Sequence, residues 1–246
     1  MLAVINAAMR IPKCLIIAAA AVLAVMSVAT YAYAFPGAPA CLLVGSVDLH
    51  RLPDGSLTDA KAEDDRARYV QLASDARARI EAMFGTPQAR PIVVYFNDPH
   101  GLGPFKLNSY GSAHFIGTRA CVMVGPNGQN VDVVAHELMH AEIHHRVGYW
   151  RRFWSVPAWF DEGLAMQVDF RTRYALGPED LSRAGYVREF ETFRAFFNGD
   201  EPTQVRNYAA AKAVVSAWIA EVGAASLYAR LGRLRAGEPL SAALSK

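Results

Sequence analysis

Between residues 69 and 84 the apolar positions Tyr69, Leu72, Ala73, Ala76, Ile80 and Phe84 recur every three or four places among charged residues, then stop at Gly85 and Pro87. This period predicts an amphipathic helix within 58–84. Residues 92–96 form an unbroken apolar block between Pro91 and Asn97-Asp98-Pro99, as a buried strand does, and 113–124 reads as strand broken near Gly117-Thr118. The segment between them, 100–112, carries Gly101, Gly103, Pro104 and Gly111 and reads as a loop long enough to be functional. After Gly125-Pro126-Asn127-Gly128 helical spacing takes over, at 131–147, 157–170, 179–197, 208–221 and 224–235. Strands first and helices afterwards predict an α+β fold, with a small mixed β-sheet lobe followed by a helical lobe. The apolar run 41–47, which follows a Pro/Gly linker at 35–39, fits either a strand or an extended arm.

The N-terminus has a different pattern. Residues 14–34 run 21 positions without a charge behind Arg10 and Lys13. As a helix at about 1.5 Å per residue this run reaches roughly 30 Å, enough to cross a bilayer with its basic flank in the cytoplasm. Ala32-Tyr33-Ala34 is a small-x-small signature, so the run reads as a cleaved signal peptide or a retained anchor. Either way the chain is expected to be exported, to a periplasmic or extracellular site. The organisation read from the sequence is a leader at 1–34, a linker and arm at 35–57, and one domain at 58–246; the short arm leaves no room for a prodomain.

Composition adds two exclusions and one option. The chain has 25 Lys and Arg against 23 Asp and Glu; both surplus cations lie in the leader, so the remainder carries 23 of each sign. A nucleic-acid surface needs clustered bases, whereas Arg77, Arg79 and Arg90 are scattered among acids, so no nucleic-acid partner is expected. With 52% hydrophobic and 20% charged residues the chain is not disordered. Beyond the leader only Cys41 and Cys121 remain; in an exported domain they could form one disulfide or stay as two thiols, and their spacing matches no cysteine-based zinc site.

The chemistry concentrates in His136-Glu137-Leu138-Met139-His140, an HExxH pattern inside the helix at 131–147. Residues four apart share one helix face, so His136 and His140 can converge on a single Zn2+ ion, and Glu137 can address a water on it. Catalytic zinc takes three protein ligands and leaves a fourth position open. Glu162 is the leading candidate: if 148–156 is a turn and Pro157 opens a new helix, an antiparallel return brings Glu162 level with His140.

Residues 157–165, Pro-Ala-Trp-Phe-Asp-Glu-Gly-Leu-Ala, resemble the second metal-binding motif of the gluzincin metallopeptidases, the thermolysin-like and aminopeptidase-like zinc proteins. The resemblance spans about residues 58–245 and implies Glu162 as third ligand. It further implies, through Asn207-Tyr208-Ala209-Ala210-Ala211-Lys212, that Tyr208 stabilises the tetrahedral intermediate. The stretch 110–124 lacks the Gly-x-Met-Glu-Asn motif by which aminopeptidases of the family capture a free amino terminus, so an endopeptidase is the expected activity.

Neighbouring residues have competing readings. His144 continues the face of His136 and His140, either as an alternative ligand or as a helix-end histidine; Ile143 and Arg146 exclude a metzincin. Asp161 suits a hydrogen bond to a ligating imidazole or an exposed helix start, and Trp159 and Phe160 suit the core. Trp150-Arg151-Arg152-Phe153-Trp154 forms an aromatic and basic loop able to touch a membrane or roof the cleft. Residues 120–124, as an edge strand, would let an extended peptide pair by β-augmentation. The expected function is thus an exported zinc metallopeptidase acting on a peptide or protein substrate; the alternative is a non-catalytic exported domain that keeps the zinc for structure or partner binding.

Overall fold

The computed structural model describes residues 37–98 and 108–245, together with 21–23 and 25–27. The cleavage signature, most of the run at 14–34, and the loop at 99–107 lie outside the described residues. Among the described residues no single helix is long and apolar enough to cross a membrane.

The fold is α+β. Five strands, β1 (His50–Arg51), β2 (Leu57–Thr58), β3 (Ile92–Tyr95), β4 (Gly111–Ile116) and β5 (Arg119–Val124), form one mixed sheet in the order β1-β2-β3-β5-β4. β2, β3 and β5 run parallel, while β1 and β4 are antiparallel to their neighbours. β5, expected at an edge, is therefore interior: its row Cys121, Val122, Met123 and Val124 is buried and pairs β3 on one side and β4 on the other. β4 is the edge, and no described strand pairs with its far side.

The first long helix runs Glu63–Phe84 rather than from 58, because Leu57 and Thr58 are taken by pairing with β3. Its first turn holds Glu63, Asp64 and Asp65, which favour a helix N-terminus electrostatically. Tyr69, Leu72, Ala76 and Ile80 of this helix and Val134, Leu138 and Met139 of the helix Val131–Val147 pack with Tyr95, Val122 and Val124 in one core. The opposite sheet face is covered by a short helix, α1 (Gly37–Leu43), where the sequence suggested a strand or an arm. Cys41 and Cys121 form a disulfide that ties α1 to β5. Cys41 and Val44, three apart on one side, meet Val94, Phe96 and Met123, which only a helical turn permits.

Naming the helices in chain order, α2 is Glu63–Phe84 and α3 is Val131–Val147. They are followed by α4 (Tyr149–Ser155), α5 (Ala158–Ala165), α6 (Pro178–Arg183), α7 (Phe193–Phe196), α8 (Glu201–Val222), α9 (Leu227–Ala236) and α10 (Leu240–Leu244). Three expectations change here. The turn at 148–156 is the helix α4, and the helix at 157–170 ends at Ala165 in a 3-10 turn over Met166–Val168. The stretch 179–197 is broken into α6, a 3-10 segment Ala184–Glu189 and α7, with Thr192 capping the last through Ala195 N–H. Short segments have little helical stability of their own, so packing decides where they break.

Candidate metal centre

α3 has a cap at each end. The Asn130 side chain accepts a hydrogen bond from Val133 N–H, and Gly148, at φ +85°, ends the helix in a conformation that favours glycine. The caps fix where the helix begins and ends, and packing of Val134, Leu138 and Met139 into the core leaves His136 and His140 facing Glu162 of α5. On α5, a Cβ at Gly163 would lie 2.5 Å from Val215 Cγ2 and 2.7 Å from the Ala211 carbonyl oxygen. Only glycine lets α5 approach α8 so closely, and the approach seats Glu162 beside α3 and Tyr208 beside His136.

The three donor atoms make a nearly equilateral triangle. His136 Nε2 lies 3.1 Å from His140 Nε2, and Glu162 Oε2 lies 3.3 and 3.4 Å from those two nitrogens. An ion held tetrahedrally at about 2.0–2.1 Å, as zinc is, sets its ligands about 3.3–3.4 Å apart, so the spacing fits. All three residues are buried, and Glu162 Oε2 has no hydrogen-bond donor among the described residues. A buried carboxylate oxygen left bare is costly unless a cation meets it.

The electrostatics point the same way. Burial pushes Glu162 up, but the imidazoles of His140 and His136 outweigh it and hold the carboxyl down at about 2. Burial pushes His140 down, yet Glu162 and Asp161 raise it well above its ordinary value. The cluster therefore favours positive charge at its centre, and His136, His140 and Glu162 can together hold a metal ion.

Two carboxylates stand behind the imidazoles. Asp161 is buried rather than exposed; it accepts a hydrogen bond from His140 Nδ1 at 3.1 Å, which leaves the Nε2 lone pair free for a metal. Its other oxygen is gripped by Arg152. Asp169, which the sequence did not single out, is fully buried with Oδ2 3.9 Å from His136 Nδ1 and is forked by Arg171. No local pattern marks it: it follows the ligand helix across a 3-10 turn, seven residues after Glu162.

His136, Glu137 and Tyr208 open onto a cavity of about 280 Å³ whose rim includes Tyr110, Gly111, Arg171 and Tyr174. Glu137 is pushed up by burial, partly offset by His136 and His140. The Tyr208 ring meets the His136 ring edge-on at 6.0 Å. Burial, then the charges of Glu162 and Glu137, raise its hydroxyl well above the ordinary value, so it stays a protonated donor.

His144 is not part of the centre. Its Nε2 donates to the Gly117 carbonyl at 2.9 Å, and its ring stacks on Phe115 at 4.4 Å. Trp159 and Phe160 are core residues, Phe160 packing on Trp218 at 5.3 Å. No known protein family, curated protein or solved structure matches this chain.

Proposed function

We propose that this protein is an exported zinc metallopeptidase of the gluzincin type, cleaving peptide bonds within a chain. The observation that carries the reading is the buried triangle of two imidazole nitrogens and one carboxylate oxygen beside a cavity lined by Glu137. Two imidazole nitrogens and one ionised oxygen in tetrahedral spacing suit zinc. Zinc held by His136, His140 and Glu162 would supply Lewis acidity, lowering the pKa of a water and polarising a carbonyl.

The remaining work belongs to the protein. Glu137 takes the proton of the attacking water and delivers it to the departing amine nitrogen; its raised proton affinity suits both halves of that transfer. Tyr208 donates its hydroxyl to the oxygen on which negative charge develops. Asp161 holds His140 in one tautomer and orientation. β4, the free edge beginning at Gly111 on the cavity rim, is the strand an extended peptide would extend, taking the part first expected of 120–124. The leader and the Cys41–Cys121 disulfide both support an oxidising compartment outside the cytoplasm.

The test pairs metal content with hydrolysis of a quenched-fluorescence peptide library. The natural chain should carry one zinc and cleave internal bonds. Glu137→Gln should keep the zinc and lose turnover by roughly 10²- to 10⁴-fold. Zinc without any hydrolysis would favour the non-catalytic zinc domain instead.

A further inference from the structure

The outer side of α4 is an exposed aromatic ridge: Trp150 is 71%, Phe153 58% and Trp154 75% exposed, and no residue of the helix is buried. Its inner side grips the tip of the β4–β5 hairpin. The Arg152 guanidinium lies 4.2 Å from the Phe115 ring, and the Tyr149 ring packs edge-on against His144, which holds the Gly117 carbonyl. On the other face of the same hairpin sits α1, joined through Cys41 to Cys121, with Ile116 packed into its cluster. α1 also shows exposed apolar residues, Leu42 at 56% and Leu43 at 46%. Two apolar outcrops thus flank one hairpin tip.

The segment that carries the ridge is basic. Residues 143–160 contain no Asp or Glu. Arg146 and Arg152 are engaged with Glu142 and Asp161, whereas Arg151 and the tip residue Arg119 are exposed and make no ion pair with any described residue. In the sequence only Phe35 and Pro36 separate the uncharged run at 14–34 from α1, which the disulfide fastens to this pole.

We propose that this pole of the molecule is seated on an anionic phospholipid bilayer. The indoles of Trp150 and Trp154, with Phe153, Leu42 and Leu43, lie at the boundary of headgroups and acyl chains, the depth that amphipathic aromatic rings favour. Arg119 and Arg151 lie among the lipid phosphates. β4 then runs from the bilayer surface at Ile116 to the cleft rim at Gly111, five steps of about 3.3 Å or roughly 17 Å of strand. The proposal does not depend on the chemistry at the metal centre.

The test uses the full chain in vesicles rich in phosphatidylglycerol with brominated acyl chains, which quench nearby tryptophan. The chain has four tryptophans, Trp150, Trp154, Trp159 and Trp218, so the segment at 14–34 is silent. Emission of the natural chain should be quenched, and the quenching should be lost in Trp150→Ser/Trp154→Ser, whose exposed positions leave the core intact. Arg119→Glu/Arg151→Glu retains every tryptophan and should reduce the quenched fraction. Failure to float with the vesicles, no quenching in the natural chain, or equal quenching in the tryptophan variant would overturn the seating, the last two leaving a protein partner as the occupant of the ridge. Quenching unaffected by the arginine variant would overturn the choice of anionic lipid.

Discussion

Gly111 presses against Glu137: a Cβ at Gly111 would fall 2.9 Å from both Cγ and Oε1 of that glutamate and 2.8 Å from Val133 Cγ1. The first residue of the edge strand and the proposed base therefore share a contact that leaves no room for a methyl group. Gly111→Ala must push either the strand or the carboxylate out of place. Zinc should be retained, while kcat/KM falls roughly 10- to 100-fold through the misplaced carboxylate and strand. Unchanged kinetics at full zinc content would show that the contact does not position Glu137.

Metal content separates the ligands from their neighbour. The natural chain should hold one zinc by elemental analysis, and His140→Ala or Glu162→Ala should hold it weakly or not at all, since each removes one corner of the triangle. His144→Gln should keep zinc, because His144 is turned to the Gly117 carbonyl. Zinc loss in that variant would return His144 to the ligand set.

Asp161 acts through His140. Asp161→Asn preserves its size but weakens the acceptor for His140 Nδ1 and leaves Arg152 without its carboxylate. Zinc affinity, measured by competition with a chelator, should drop about 10- to 100-fold. Equal affinity would show that the imidazole is oriented by packing alone.

Acid should weaken the fold through His144. Burial and the neighbouring Arg152 guanidinium lower its pKa from 6.5 to about 4, so the unfolded chain binds a proton that the native chain refuses. The native state is thus favoured fully above the unfolded value, and this contribution disappears as pH falls from 6.5 toward 4. By about pH 5 the loss is about 2 kcal/mol. His144→Gln, which retains a donor for Gly117, should lose less Tm between neutral pH and that point. Parallel losses in the two proteins would assign the acid sensitivity to other groups.

The HExxH helix was legible because a helix is local. The period of 131–147, the Asn130 cap and the Gly148 stop lie within the segment, and a four-residue spacing puts His136 and His140 on one face whatever surrounds them. Glu162 could be nominated for a related reason, since the antiparallel return to α3 survives the replacement of the expected turn by α4. The strand content and its order before the helices were also plain, giving the α+β class.

The rest depends on contacts between distant segments. Which strand forms the edge is set by pairing across the sheet, and that moved the edge from β5 to β4. Asp169 beside His136, Arg152 on Asp161, Gly111 against Glu137 and the union of Cys41 with Cys121 join residues up to 80 positions apart. Hydrogen-bond periodicity and capping act over a few residues and leave their mark in the local pattern. Side-chain encounters across the core arise when elements pack, and no local period encodes them.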